Sequence, residues 1–137
     1  MTKPIPTIDK YMTTSPLTIE QDASLAHAQK VMTENKIRHL PVMEGETLVG
    51  VLSDRDVALI SSIAGADPNT LRVVDAMTPK PYTTSPKALI DEVVTSMAEH
   101  KIGSAVIVDN HRVVGIFTAV DALGAFAHLL QTRLSKA

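Results

Sequence analysis

Residues 50–56 read Gly-Val-Leu-Ser-Asp-Arg-Asp, and residues 115–121 read Gly-Ile-Phe-Thr-Ala-Val-Asp. The two stretches are 65 residues apart, and the same offset carries outward from them without a gap. Met12 and Met77 coincide, as do Thr13/Thr78, Pro16/Pro81, Thr18/Thr83, Ala23/Ala88, Met32/Met97, Lys36/Lys101, Ile37/Ile102 and Val49/Val114. Conservative pairs such as Val42/Ile107, Leu52/Phe117 and Ser53/Thr118 fill the spaces between. A rival register of 70 aligns Thr13–Pro16 with Thr83–Pro86 and nothing downstream, so it is chance. Positions 12–58 and 77–123 are therefore one unit written twice, and a repeat of this length sets the architecture before any local reading.

Each copy predicts the same elements. A short extended piece follows Thr18 or Thr83, and a helix covers about Ser24–Asn35 or Leu89–His100. Leu25, Ala28, Val31 and Met32 recur at helical spacing, as do Ile90, Val93, Val94 and Met97. Two apolar runs follow, Leu40–Met43 with Leu48–Leu52 and Ala105–Val108 with Val113–Phe117. Polar turns at Glu44-Gly45-Glu46 and Asp109-Asn110-His111 split them, which is a hairpin pattern. A second helix starts at Ser53 or Thr118. The fold class is α+β, with two tandem β-α-β-β-α units at 8–64 and 75–131 and a linker at 65–74, inside the polar, Gly- and Pro-bearing stretch Ser61–Val74. A unit of roughly 50 residues buries too little surface alone, so the two are expected to pack with pseudo-two-fold symmetry.

Composition narrows the function. With 45% hydrophobic residues and 3% aromatic, the core must be built from aliphatic side chains and Met. The absence of cysteine excludes disulfides, thiolate metal sites and a cysteine nucleophile. A net charge of −2 with no basic block argues against a nucleic-acid partner. Apolar runs fall far short of the ~20 residues of a membrane span, and the N-terminus has no apolar signal core. The expectation is a soluble, cytoplasmic protein.

Three features carry candidate chemistry. Ser53 with Asp56, and Thr118 with Asp121, put a hydroxyl and a carboxylate three residues apart at a strand-to-helix junction. Such a pair can form a capping box. It can equally serve an anion at a helix N-terminus, with the carboxylate on a ribose diol. Gly50 and Gly115, three residues before the hydroxyl, are not required by a cap. Arg38 and His39 enter the second strand of the first copy, either as solvated polar residues or as phosphate donors. The five histidines, His27, His39, His100, His111 and His128, have no ligand spacing, so no metal site is expected. No catalytic constellation is present in the sequence, and no enzyme activity is expected.

The unit resembles the CBS domain, and the pair resembles a Bateman module, over about Ile8–Gly124. The segments that carry the resemblance are MTTSPLTI and MTPKPYTT, KIRHLPV and KIGSAVIV, and GVLSDRD and GIFTAVD. The resemblance implies two related clefts that bind adenosine nucleotides such as AMP, ADP or ATP. In some members the ligand is S-adenosylmethionine, an NAD-type molecule or a cyclic dinucleotide. It implies that Asp56 and Asp121 hold ribose hydroxyls and that Ser53 and Thr118 bond phosphate or ribose. Ile37, Ile102 and Gly103 would flank adenine, Arg38, His39 and Arg55 would meet phosphates, and Thr13 and Thr78 would line the base pocket. The copies differ, because Gly103, Ser104 and Val120 stand where the first has Arg38, His39 and Arg55.

The leading expectation is a stand-alone regulatory adenine-nucleotide sensor that acts on a separate protein in trans. The competing one is a ligand-free structural or interaction module in which both hydroxyl–carboxylate pairs only cap helices. Val120, Leu123, Phe126, Ala127, Leu130 and Leu134 recur at helical spacing over Ala119–Leu134. They form either a core-facing stripe or, as the resemblance implies, a homodimer surface.

Overall fold

The structure, a computed structural model, describes residues 3–134. In chain order it contains a 3-10 turn at Ile8–Lys10, β1 (Thr13–Thr14), β2 (Ile19–Glu20), α1 (Leu25–Asn35), β3 (His39–Glu44), β4 (Thr47–Ser53) and α2 (Asp54–Ser61). The second half contains α3 (Val73–Ala76), β5 (Thr78–Pro79), β6 (Thr83–Thr84), α4 (Ile90–His100), β7 (Ser104–Asp109), β8 (Arg112–Thr118) and α5 (Ala119–Arg133). The chain folds into two compact units. One is Pro16–Pro81, and the other joins the residues up to Ser15 to those from Tyr82 onward.

Each unit has one four-stranded sheet, ordered β2-β3-β4-β5 in the first and β1-β8-β7-β6 in the second. The hairpins β3–β4 and β7–β8 are antiparallel, and β2 and β6 join them in parallel. The fourth strand of each sheet comes from the stretch that opens the other copy in the sequence. Thr78 pairs with Val51, and Thr13 with Ile116. Both hairpins carry a register shift at equivalent places, between Val42 and Met43 and between Ile107 and Val108.

Helices α1 and α4 end in the same way. Lys36 and Lys101 are left-handed, with φ of 53° and 55°. The next amides, of Ile37 and Ile102, donate back to Met32 and Met97 oxygens. This is a Schellman ending, here with Lys where Gly is usual. It turns the chain sharply and delivers Ile37 or Ile102 to the entry of the next strand.

The duplication reaches further upstream than position 12. Val73 N–H donates to the Ala23 oxygen and Leu25 N–H to the Leu71 oxygen; 65 residues away, Ile8 N–H donates to Ala88 and Ile90 N–H to Pro6. Val73 and Ile8 are both fully buried, each in its own unit's core. The last two residues of the stretch expected as linker thus begin a packed helix, Val73–Ala76, and the N-terminal residues complete the second unit. Lys87 donates to Asp9 at 2.8 Å, and this bond, helped by one from Thr7, holds the Asp9 carboxyl below its ordinary range.

The core of the first unit is Ile19, Leu25, Ala28, Met32, Leu40, Val42, Leu52, Val57 and Val73. That of the second is Ile8, Ile90, Val93, Met97, Ala105, Ile107, Phe117 and Ala125. The apolar stripe of α5 does not face this core. Val120, Leu123, Phe126, Leu130 and the following Leu134 are exposed by 41–68%, and Ala125 makes the buried contact instead.

Candidate functional site

The site of the first unit is built where β3 begins, β4 ends and α2 starts. The Schellman turn sets Ile37 half-buried against the core. Asp54 N–H then donates to the Arg38 oxygen at 2.9 Å, which ties the start of α2 to the entry of β3. His39 pairs across the ladder with Ser53. Arg38 and Arg55 are exposed, and His39, Ser53 and Asp56 are half-buried. Thr78 lies on the neighbouring edge strand. Ile37, Arg38, His39, Ser53, Arg55, Asp56 and Thr78 are therefore brought to one end of one sheet.

The second unit repeats the backbone. Ala119 N–H donates to the Gly103 oxygen at 3.0 Å, and Ser104 pairs with Thr118. Ile102, Gly103, Thr118, Asp121 and Thr13 gather at the equivalent end. Neither guanidinium nor imidazole takes the place of Arg38, His39 and Arg55 there, since those positions hold Gly103, the buried Ser104 and the exposed Val120. The positive charge suited to phosphate is concentrated in the first unit.

Both hydroxyl–carboxylate pairs form complete capping boxes. Ser53 N–H donates to Asp56 Oδ2 at 2.9 Å and Asp56 N–H to Ser53 Oγ at 3.0 Å. Thr118 N–H donates to Asp121 Oδ2 at 2.9 Å and Asp121 N–H to Thr118 Oγ1 at 3.3 Å. Thr13 Oγ1 sits 3.4 Å from both Asp121 oxygens, a long approach for a hydroxyl donor. The boxes order the helix start. They leave each carboxylate capacity for further donors, because an ionised carboxyl accepts about four hydrogen bonds.

The repeated glycines have a packing explanation. A Cβ on Gly50 would lie 2.6 Å from Met77 Sδ and 2.8 Å from the Thr78 oxygen. A Cβ on Gly115 would lie 2.5 Å from Met12 Sδ and 3.1 Å from the Thr13 oxygen. They are glycine so that the edge strand can pass close, which brings Thr78 or Thr13 beside the cap.

Two cavities open in the first unit. One, of about 430 Å³, lies between α1 and α2 and includes Lys36, Ile37, Arg38 and Asp54 in its lining. The other is a shallow, open recess lined by Asp56, Leu59, Ile60, Ile63, Asp75 and Ala76. Apart from Asp56, its lining escapes sequence reading. Asp75 and Ala76 fall between the linker and the Met77 motif, and only the offset of 65, extended upstream, would have pointed to them. Among the described residues, no group of three or more His, Cys, Asp or Glu is placed to hold a metal ion. No described helix is long and apolar enough to cross a membrane.

The family model described as "CBS domain" matches residues 8–62 and 73–128. The Bacillus subtilis (strain 168) protein YlbB is 38% identical over 92 residues, which cover 66% of this chain and 62% of that protein. Inosine-5'-monophosphate dehydrogenase of Korarchaeum cryptofilum is 30% identical over 134 residues, or 97% of this chain but only 27% of the enzyme. The CBS domain pair of protein MJ0100, solved with 5'-methylthioadenosine and S-adenosyl-L-methionine, aligns with TM-score 0.82 and 28% identity over 91% of this chain and 98% of that one. CBSX2, solved in complex with AMP, aligns with TM-score 0.76 and 25% identity over 90% and 98%. The chain belongs to the CBS domain family, with two copies of that domain in tandem.

Proposed function

We propose that this protein is a non-catalytic regulatory module that binds an adenine nucleotide of the AMP, ADP or ATP type and acts on a separate protein in trans, in the cytoplasm. The observation that carries the reading is the gathering of Arg38, His39, Ser53, Arg55, Asp56 and Thr78 at one end of a sheet. A carboxylate suits a ribose diol, a helix start suits an anion, and two guanidinium groups suit phosphate. Structural relatives solved with AMP and with S-adenosyl-L-methionine support an adenosyl ligand. The exposed apolar residues of α5 support a homodimer through that helix.

A second reading has its own support. Both hydroxyl–carboxylate pairs already act as capping boxes, which is all that a ligand-free interaction module needs. A thermal-shift screen with AMP, ADP, ATP, NAD and S-adenosylmethionine separates the two. The sensor reading expects a rise in melting temperature with an adenine nucleotide. A rise only with S-adenosylmethionine or NAD would move the ligand assignment to that molecule. No shift with any of the five would refute the sensor. Asp56→Ala then tests the residue: capping alone predicts a loss of about 0.5–2 kcal/mol in stability. The sensor reading adds a loss of nucleotide affinity in protein that remains folded.

A further inference from the structure

The duplicated helices present different surfaces in the two units. In the first, an open groove between α1 and α2 includes Gln29, Thr33, Lys36, Arg38, Ala58 and Ser61 in its lining. The offset of 65 places Val94, Ala98, Leu123 and Phe126 at the positions of Gln29, Thr33, Ala58 and Ser61. Small and polar residues border a depression in the first unit. At the matching positions of the second, Leu123 and Phe126 stand out from α5, 68% and 60% exposed. Exposed apolar residues grouped on one helix face mark an interaction site. Charge differs between the units as well. Lys36 and Arg38 outnumber Asp54 in the groove, and neither cation has an ion-pair partner among the described residues. Helix α4, which shares the second unit's core with α5, exposes Asp91, Glu92 and Glu99 against Lys101 at its end.

We propose that the α1–α2 groove receives Leu123 and Phe126 of a second copy of the chain, so that unlike units pair, the first unit of one protomer with the second unit of its partner. This rests on the α5 homodimer reading above and gives that dimer its orientation. A two-fold pairing makes the contact twice, since each protomer both gives α5 and receives it. Pairing of like units would set Leu123 and Phe126 against their own copies, leave the groove unfilled and turn the acidic helix layer on itself. Unlike pairing fills the groove with the two apolar side chains and sets a basic surface against an acidic one, the arrangement that electrostatic complementarity favours.

A charge swap read by sedimentation equilibrium of the full chain tests this. Leu123→Glu should weaken the dimer by about tenfold or more. Adding Ala58→Lys to the same chain should recover most of that loss, because the two changed positions meet across unlike units. Between like units the same pair of changes would face charge with like charge and weaken the dimer further. Ala58 and Leu123 are both exposed, and circular dichroism melting confirms that each variant is folded. Cross-linking gives an independent measurement that keeps Leu123 and Phe126 intact. The chain has no cysteine, so Ser61→Cys and Ala127→Cys each supply a single thiol. A short bis-maleimide should join the two variants when they are mixed, and neither variant to itself. A dimer with no recovery by Ala58→Lys, with cross-links between like positions, or with none in the mixture would overturn the seating and leave the α5 dimer standing. A monomeric mass for the unaltered chain at micromolar concentration would overturn both.

Discussion

Gly50→Ala is the most direct probe of how the site is assembled. On most strands, replacing glycine by alanine stabilises a protein by about 0.4–1 kcal/mol, by restricting the unfolded chain. Here the new methyl group would sit 2.6 Å from Met77 Sδ and 2.8 Å from the Thr78 oxygen. Ordinary carbon contacts lie at about 3.5–4 Å, so the neighbouring strand must retreat by roughly 0.7–1 Å. The thioether can swing aside. The carbonyl cannot, because it belongs to β5, a two-residue strand held through its pairing with β4. Overpacking of this kind costs about 1–3 kcal/mol. Each loosened ladder hydrogen bond adds about 0.5–1.5 kcal/mol. The net expectation is a destabilisation of about 1–3 kcal/mol, or roughly 4–12 °C in melting temperature at this chain length. Thermal and urea unfolding measure it directly. Amide exchange should accelerate at Val51 and Thr78, while the far hairpin turn at Gly45 is unaffected. Adding Met77→Ala should recover part of the loss, since it removes the sulfur but not the carbonyl, giving a coupling energy of about 0.5–3 kcal/mol. A Gly50→Ala protein that melts higher than the unaltered chain would refute the close-approach argument. So would purely additive behaviour with Met77→Ala.

Two further outcomes are expected. Ile8→Ala should cost about 2–5 kcal/mol by urea unfolding, because Ile8 is fully buried in the second unit's core; a loss near zero would show that the N-terminal segment is not part of that unit. Leu123→Glu with Phe126→Glu places charges on residues 68% and 60% exposed. Sedimentation equilibrium should change from a dimer to a monomer mass with little change in melting, and an unaltered chain already monomeric at micromolar concentration would refute the α5 dimer.

The hairpins and the two longer helices of each copy are legible in the sequence because their own side chains encode them. Leu40–Met43 and Leu48–Leu52 carry the apolar run and its turn within a dozen residues, and β3 and β4 fall on them. What the sequence conceals is backbone work over long separations. The pieces that complete each sheet and core, residues 7–15 and 72–80, are held largely through backbone hydrogen bonds such as Ile8 N–H to Ala88 and Val73 N–H to Ala23. Backbone bonds need no particular side chain. Only Ile8/Val73 and the Met-Thr motif correspond, while Thr7/Arg72 and Tyr11/Ala76 do not, so side-chain identity alone starts the repeat too late.

Gly50 illustrates the same blindness from the other side. Taken locally, a glycine before a cap suggests an accommodation for a ligand. Its reason is a strand 28 positions away in the chain, which no local window contains. The capping pairs show the limit of inference in the opposite direction. Local geometry alone predicts that Asp56 caps α2, and it does. Whether the same carboxylate also meets a ribose depends on what surrounds it, and there the two copies part. The first copy has Arg38 and Arg55 close in sequence to its cap, whereas the matching positions of the second hold Gly103 and Val120. Duplication fixed a backbone that presents two carboxylates in the same way. Substitutions at a few neighbouring positions, invisible to a motif made of the hydroxyl and the carboxylate alone, give those two presentations different charge.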